Sequence, residues 1–218
     1  MSTDALKISL YEALAKVAQA LANANRLQLL ETIAQGERSV DRLAQLAGLS
    51  IANASQHLQA LRQAGLVVPR KDGQRVLYSL SGPEVVALYT ALRDAGEHHA
   101  AEVDKLLRDF LGRRDELEPV PAGELLARAK KGLVTVLDVR PEEEFAAGHL
   151  PGALNIPLDQ LEAGLACLPK YREVVAYCRG PYCLMSFEAV AKLRKRGWKA
   201  RRLENGFPEW KAAGLPVA

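Results

Sequence analysis

The apolar residues at the start of the chain recur at helical spacing. Leu10, Leu14 and Leu21 lie four and seven residues apart, and a second apolar series runs on to Ile33. Asparagines interrupt the pattern at residues 23–25, and asparagine is a favourable N-cap residue. The pattern therefore predicts two amphipathic helices that are separated at these asparagines.

Two shorter helices are predicted next. Residues 39–47 form a short amphipathic pattern that Ser39 can cap, and residues 51–64 form a second pattern that Ser50 can cap, with Gly48 in the turn between them. A short helix, a glycine-containing turn and a second helix have the spacing of a helix-turn-helix motif.

A hairpin and a long helix follow this pair. Strand patterns at residues 66–71 and 74–80 are joined by Asp72-Gly73, which is a strong signal for a hairpin turn. From Pro83 to about Leu111 the apolar residues return to helical spacing, which predicts one long helix.

The second helix of the pair is amphipathic. Ile51, Ala54, Leu58 and Leu61 form its apolar side. The side chains opposite can donate to or accept from base edges and phosphates. They are Asn53, Ser55, Gln56, His57, Gln59 and Arg62. A helix whose polar face only contacts water would carry similar side chains, so this face alone does not establish DNA binding.

Positive charge is concentrated in the same region. Residues 50–80 hold four basic side chains and one acidic side chain, a net charge of +3, whereas residues 1–49 are neutral and residues 81–116 carry −3. This distribution predicts contact with a polyanion. The basic side chains near the tip of the hairpin are Arg70, Lys71 and Arg75.

These features together resemble the ArsR/SmtB family of winged-helix regulators. The resemblance covers residues 6–110, and its clearest segments are Leu-Ala-Asn-Ala-Asn-Arg-Leu at 21–27 and Ala-Gly-Leu-Val at 64–67. It implies a homodimer built on the first helix and the helix after the hairpin. It also implies binding to a two-fold, double-stranded DNA operator in the major groove, normally as a repressor.

Metal sensing occurs in that family, so the ligand positions matter. The stretch 37–42, where one type of site has cysteines, contains none. Asp94, His98, His99 and Glu102 lie on the predicted last helix, where His99 and Glu102 match half of another ligand set. The Asp-x-His half is missing near residues 87–89, and histidines in an acidic amphipathic helix also lie at interfaces or in solvent. We expect no metal and no cofactor, and metal binding by this helix stays open as an alternative.

The second half of the chain alternates strand and helix. Buried strand patterns at residues 134–139 and 173–177 are each followed by a helical pattern, and a last strand is predicted at residues 200–203. Such alternation predicts an α/β domain with a mainly parallel sheet.

Composition and the linker set the domain organisation. The chain has 218 residues, of which 49% are hydrophobic and 25% charged, which suits two globular domains. A charged stretch bounded by proline at residues 112–121 predicts domains at residues 1–114 and 119–218. With three cysteines, no signal-peptide pattern and no membrane-spanning run, we expect a cytoplasmic protein without membrane contact.

Cys178 is the candidate nucleophile. It follows the strand at residues 173–177 and precedes a Gly180-Pro181 turn and a helix. The N–H groups of the turn and of the helix N-terminus, together with the charge of Arg179, favour the thiolate, which is the reactive form. A buried structural cysteine is the alternative, but the adjacent Arg179, Gly180 and Cys183 have no packing rationale.

The motifs around this loop resemble the rhodanese domain. Segments 138–145, 148–153 and 206–210 occur in the order of that family, and the resemblance spans residues 120–218. It implies that Cys178 accepts a sulfane sulfur as a persulfide. It also implies that Asp138 orders the site by charge pairing with an arginine. The candidates are Arg140 and Arg179, and a structural ion pair is their other role.

The loop departs from that family at Cys183 and Leu184, where arginine and serine are common. Without a late arginine to hold phosphate oxygens, we expect no phosphatase activity. Cys183 either attacks the persulfide on Cys178 to form a disulfide, is joined to Cys178 by a bridging sulfur atom, or only fills the turn.

The sequence thus favours a DNA-binding transcriptional regulator whose rhodanese-like domain couples sulfur chemistry at Cys178 to DNA binding. Its expected partners are operator DNA and a sulfane-sulfur compound such as polysulfide. The alternative is a sulfurtransferase whose N-terminal half serves for dimerisation or DNA tethering.

Overall fold

A computed structural model describes residues 3–110 and 118–218 of the chain. The protein forms two compact units, one that ends at Val85 and one that begins at Val86. The expected domain boundary and most of its charged linker fall on residues 111–117, outside the described residues, so this boundary stays a prediction. Within the described ranges, no helix combines the length and the apolar character needed to cross a membrane.

The first unit is built mainly from helices. A capping side chain accepts a hydrogen bond from the N–H group three residues further on at Asn23, Ser39 and Ser50, with distances of 3.2, 3.3 and 3.2 Å. These caps fix where three helices begin and confirm the predicted helix-turn-helix. The helices are α1 (Thr3–Leu21), α2 (Ala24–Ala34), α3 (Val40–Ala47) and α4 (Ile51–Gln63).

A small antiparallel sheet completes this unit. Strands β1 (Arg38–Ser39), β2 (Val67–Asp72) and β3 (Arg75–Leu80) lie in the order β1-β3-β2. Gly73 has a φ of 59° at the tip of the hairpin, a conformation that glycine adopts without steric cost. The predicted hairpin is confirmed. Strand β1 was not predicted, because two residues are too few to produce an alternation of apolar and polar positions.

The core of the first unit lies between the helices and this sheet. Leu29, Leu43, Leu58 and Leu61 are fully buried there. The prediction that Ile51 belongs to the apolar side of α4 is wrong, since Ile51 is 56% exposed. Ile51 is the first residue of α4, and the packed positions begin one turn later.

The long helix predicted from Pro83 is divided at Ala100 into α5 (Pro83–His99) and α6 (Ala101–Phe110). A Cβ atom on Gly96 would lie 3.7 Å from a methyl group of Val103, so the bend at Ala100 brings the start of α6 close to the end of α5. His98 Nδ1 also lies 2.7 Å from the Asp94 carbonyl oxygen, where it competes with the helical hydrogen bond. The prediction of one continuous helix is wrong, and its expected end at Leu111 lies outside the described residues.

The second unit contains a four-stranded parallel sheet in the order β5-β4-β6-β7, which confirms the predicted α/β class. No prediction covers α7, α9 or α11, and the last two have only 4 and 6 residues. After α6 the elements are α7 (Ala122–Lys130), β4 (Val134–Asp138), α8 (Glu142–Ala146), β5 (Leu154–Asn155), α9 (Leu161–Gly164), β6 (Glu173–Tyr177), α10 (Leu184–Lys195), β7 (Ala200–Arg202) and α11 (Phe207–Ala212).

Both faces of this sheet are covered by apolar side chains. Val174 packs in the cluster on one face together with Val190, and Val175 packs in the cluster on the other face together with Phe207. Central strands buried on both faces read as continuous apolar runs. Since β4 and β6 are parallel, with Asp138 opposite Tyr177, the segments that follow both strands meet at one edge of the sheet.

Candidate thiol site and nucleic-acid interface

The cysteine loop connects β6 to α10. Cys178 directly follows β6 and is 2% exposed, and Cys183 is the N-cap residue of α10. Their sulfur atoms form a disulfide, with the two Cα atoms 6.2 Å apart. The structure thus brings together the two cysteines that the sequence singles out, while Cys167 is a free, exposed thiol.

The segment before α11 packs against the backbone of this loop. The Phe207 N–H donates to the Cys178 carbonyl oxygen at 3.1 Å. A Cβ atom on Gly206 would lie 2.4 Å from the carbonyl carbon and oxygen of Arg179 and from the amide nitrogen of Gly180. Backbone therefore packs directly on backbone here, and this closeness requires glycine at position 206.

Asp138 and Arg140 form a buried ion pair beside the loop. Arg140 Nη2 donates to Asp138 Oδ2 at 2.6 Å and to the Gly148 carbonyl oxygen at 2.9 Å, and neither side chain of the pair is exposed. Burial lowers the pKa of Arg140, but the hydrogen bonds and charge of Asp138 outweigh it and raise the pKa above its usual value. Because both side chains of the pair are fully buried, the pair stabilises the loops at this edge of the sheet and offers no exposed atoms that a ligand could contact.

Arg179 contacts a different carboxylate. Its Nη2 lies 2.6 Å from Oε1 of Glu144, which is fully buried, and its Nε lies 3.0 Å from Oε2. Of the two candidate arginines, Arg140 therefore contacts Asp138 and Arg179 contacts Glu144. Sequence reasoning missed Glu144, since nothing distinguishes it from the neighbouring Glu142 and Glu143.

Two further polar side chains support this edge of the sheet and were also missed. The Tyr177 hydroxyl accepts from the Leu150 N–H at 3.1 Å. Asn155 Nδ2 donates to the carbonyl oxygens of Asp138 at 3.2 Å and Arg140 at 3.0 Å. Burial raises the pKa of Tyr177 far above its usual value, so its hydroxyl stays protonated.

The candidate DNA-binding side chains lie on the open side of α4. Asn53, Gln56, Gln59 and Arg62 are exposed, and Ser55 and His57 are half-buried. His57 Nε2 lies 3.4 Å from Asn25 Nδ2 of α2. The exposed face is continuous, and the buried face of the helix is formed by Ala54, Leu58 and Leu61.

The hairpin presents its basic side chains at the surface. Lys71 and Arg75 are exposed next to the turn. Arg70 Nε donates to Glu37 Oε1 at 2.9 Å, and this hydrogen bond lowers the pKa of Glu37. The structure thus places Arg70 in a surface ion pair, where Glu37 competes for its charge.

The residues of the alternative metal site are spread over two helices. Asp94, His98 and His99 belong to α5, whereas Glu102 follows the bend and belongs to α6. Among the residues that the structure describes, no three histidine, cysteine, aspartate or glutamate side chains are grouped as metal ligands.

A winged helix followed by a parallel α/β domain with a cysteine loop defines the class of protein. The family model of a helix-turn-helix domain matches residues 21–70, and that of a rhodanese-like domain matches residues 121–213. The chain belongs to the HTH-type transcriptional regulators of the ArsR type that carry a rhodanese-like domain. Both resemblances seen in the sequence are therefore confirmed.

Similarity to one regulator extends over almost the whole chain. The HTH-type transcriptional regulator Rv0324 of Mycobacterium tuberculosis is 44% identical over 211 residues, which are 97% of this chain and 92% of that protein. A sulfurtransferase of Allochromatium vinosum is 34% identical over 85 residues, 38% of this chain and 78% of that protein. The homodimeric winged helix-turn-helix domain of Mb0332 from Mycobacterium bovis, solved by NMR, is 37% identical and covers 47% of this chain and 93% of its own, with a TM-score of 0.43.

Proposed function

We propose that this regulator responds to sulfane sulfur through Cys178 and Cys183 and that their oxidation changes its affinity for DNA. The disulfide between these two cysteines, within one loop at the start of α10, carries the proposal. A cysteine pair this close turns a persulfide, which is short-lived beside a thiol, into a stable and reversible state.

The proposed reaction has two steps. The Cys178 thiolate attacks the terminal sulfane sulfur of a polysulfide, forms a persulfide and releases a polysulfide one sulfur shorter. The Cys183 thiolate then attacks Cys178 Sγ, the bond to the added sulfur breaks, and hydrosulfide leaves. The two cysteines lose two electrons, the added sulfur gains them, and the thiol protons pass to solvent and the leaving groups.

The loop supports the anionic sulfur species of this scheme mainly through its backbone. Cys183 is the N-cap residue of α10, which has 12 residues, and Cys178 lies five residues earlier in the same loop. The N-terminus of a helix favours negative charge. The charge of Arg179 is shared with Glu144. The helix terminus is therefore the main source of positive potential in this account.

For DNA, we propose that the exposed face of α4 contacts base edges and that Lys71 and Arg75 contact phosphates in a two-fold operator. A second copy of the chain would cover the apolar face of α1, because a row of its large side chains is 55–60% exposed. This row consists of Leu6, Leu10 and Leu14, which lie four residues apart on one face.

The test compares DNA affinity before and after polysulfide treatment. Duplexes are first selected from a random pool by the fully reduced protein. Treatment should change the affinity of the wild-type protein and of Cys167→Ser but leave that of Cys178→Ser unchanged. Mass spectrometry should show the loss of two hydrogen atoms only when both Cys178 and Cys183 are present. An equal response of Cys178→Ser would refute the proposal.

A sulfurtransferase is the second candidate function. It is favoured by the similarity to the Allochromatium vinosum sulfurtransferase, which covers 78% of that protein. This function predicts repeated transfer of sulfur from thiosulfate to a thiol or cyanide acceptor, lost in Cys178→Ser, with a DNA affinity that polysulfide does not change. Turnover and affinity measured on the same preparations therefore separate the two functions.

A further inference from the structure

Helix α5 reaches the cysteine loop through Tyr182, which lies between the two cysteines in sequence. The Tyr182 hydroxyl donates a hydrogen bond to the Glu97 carboxylate of α5. Arg93, one turn earlier on α5, places its guanidinium carbon 5.9 Å from the centre of the Tyr182 ring. Burial and the Glu97 carboxylate raise the pKa of Tyr182 above its usual value, so its hydroxyl stays protonated and keeps donating.

Arg93 also joins α5 to the other side of the loop. Its side chain is only 6% exposed, and its Nη1 lies 2.8 Å from Glu209 Oε1 and its Nη2 lies 3.3 Å from Asn205 Oδ1. Glu209 in turn accepts from the Gly206 N–H at 3.1 Å, and Gly206 packs against the backbone that follows Cys178. The two residues of α5 therefore hold the loop at both of its ends.

A buried arginine is costly unless several partners compensate its charge, and removing one partner leaves part of that cost uncompensated. Arg93 meets this condition, since Glu209, Asn205 and the Tyr182 ring surround it and Glu97 Oε1 lies 3.7 Å from its Nε. Apolar side chains would suffice if these residues only filled space between α5 and the loop. The ion pairs and hydrogen bonds of the cluster are directional, so they fix the orientation and the axial position of α5 relative to the loop.

We infer that Tyr182, Glu97 and Arg93 are positioning residues through which the thiol or disulfide state of Cys178 and Cys183 sets the conformation of helix α5. The disulfide fixes the backbone from residue 178 to residue 183, so Tyr182 is held where its hydroxyl meets Glu97. When the disulfide is reduced, this backbone is free to move, and motion of the loop then weakens the hydrogen bond between Tyr182 and Glu97 of α5. The inference deepens the proposed function and rests on it for the effect on DNA.

Helix α5 is suited to this role by its place in the chain. It begins at Pro83, directly after the hairpin, and Val85 in its first turn belongs to the apolar core of the winged-helix unit. Because coupling between two sites is reciprocal, the same cluster should also shift the midpoint potential of the cysteine pair.

The first experiment needs no DNA. Hydrogen exchange at the amides of residues 93–99 is compared between the reduced and disulfide forms, each checked by mass spectrometry for complete conversion. Wild type should show a difference in exchange rate of at least about fivefold, the lower end of ordinary coupling factors, and Tyr182→Phe a difference below about twofold. Tyr171→Phe, at a tyrosine that is 82% exposed, is the matched control and should behave as wild type.

Two outcomes would overturn the inference. One is equal exchange in both states of the wild-type protein, and the other is an undiminished difference in Tyr182→Phe. Glu97→Gln provides the second variant if Tyr182→Phe does not fold, since the amide keeps an acceptor but loses the charge. The midpoint potential in a glutathione buffer should shift in Tyr182→Phe and stay unchanged in Tyr171→Phe.

The DNA measurement then separates this inference from the proposed function. The ratio of affinities between the reduced and disulfide forms should fall in Tyr182→Phe by at least about fivefold relative to wild type. An unchanged ratio in Tyr182→Phe would overturn the route through α5 and leave the proposed function standing. A wild-type ratio of one would instead refute the proposed function, while the exchange result would still decide the coupling to α5.

Discussion

Asp138 and Arg140 form a fully buried ion pair between positions two residues apart, with Arg140 Nε 3.0 Å from Asp138 Oδ1 and Nη2 2.6 Å from Oδ2. The backbone N–H of Arg140 also donates to Asp138 Oδ1, at 2.9 Å. The guanidinium also lies 4.3 Å from the centre of the Phe207 ring, next to the backbone contact that holds the cysteine loop. The pair is thus part of the framework on which the loop rests.

Breaking this pair should strongly destabilise the second unit. Arg140→Ala leaves the Asp138 carboxylate buried without its partner, which costs about 3–5 kcal/mol. Denaturant unfolding followed by tryptophan fluorescence measures this cost, because Trp198 and Trp210 both belong to the second unit. Arg196→Ala, which breaks an exposed pair with Glu162, should cost no more than about 1 kcal/mol. Equal effects of the two variants would contradict this account of the buried pair.

Gly206→Ala should distort the cysteine loop. Its new Cβ would stand 2.4 Å from backbone atoms of Arg179 and Gly180, which have no flexible end to move aside. Overpacking of this kind typically costs about 1–3 kcal/mol, so the equilibrium between dithiol and disulfide should shift about fivefold or more. A glutathione titration measures this shift.

Gly123→Ala is the control for that variant, since a Cβ on Gly123 meets no atom within 4 Å. It should leave the titration of the cysteine pair unchanged. A Gly206→Ala protein with the wild-type equilibrium would show that the loop is not held by this backbone contact.

Arg75→Ala should weaken DNA binding to all sequences alike. Arg75 is exposed at the turn of the hairpin, so its loss removes one phosphate contact and lowers the slope of log K against log salt by about 1. Gln56→Ala, on the exposed face of α4, should instead change which bases are preferred. Titrations of selected and random duplexes over a range of salt concentrations measure both effects. An unchanged slope in Arg75→Ala would rule out the hairpin as a phosphate contact.

Acid should destabilise the second unit partly through Glu173. Burial raises the pKa of this carboxyl, but the hydrogen bonds from Arg201 (2.8 Å) and Arg128 outweigh burial and lower it below the usual value. A depressed pKa contributes stability that is present above the unfolded pKa of about 4.3 and is lost as the pH falls through the folded value.

Glu173→Gln should therefore unfold more readily than wild type at neutral pH, and the difference should shrink as the pH falls below about 4. Urea unfolding of both proteins from neutral to acidic pH, read by tryptophan fluorescence, measures this difference. A gap between the two proteins that stays constant over the whole range would show that Glu173 does not titrate there.

Local signals in the sequence account for most of the fold. Ser39 and Ser50 act as the expected caps, Asp72-Gly73 forms the expected turn, and the alternation of strand and helix yields the parallel sheet. Each of these features depends on residues only a few positions apart, so periodicity and capping chemistry reveal them. The bend at Ala100 escapes this reasoning, because the apolar spacing continues through it.

Contacts between segments that are distant in the chain produce no local pattern in the sequence. Glu144 meets Arg179 from 35 residues away, and Glu97 meets Tyr182 from 85 residues away. Nothing in the composition of either segment marks its partner, since charged and aromatic side chains are common on any solvated helix. The cysteines and Asp138 could be identified from local motifs, whereas the side chains that orient them became visible only in the folded chain.

The closeness of Cys178 and Cys183 in the chain has one more consequence. Both sulfur atoms belong to one short loop of a single protomer, so closing the disulfide is a first-order event that needs no encounter with another molecule of the protein. The rate at which each molecule is oxidised should therefore depend, through the persulfide-forming step, on the supply of sulfane sulfur and stay the same whether the protein is scarce or abundant. A response of this kind reports the concentration of the signal and is insensitive to the expression level of the protein that detects it.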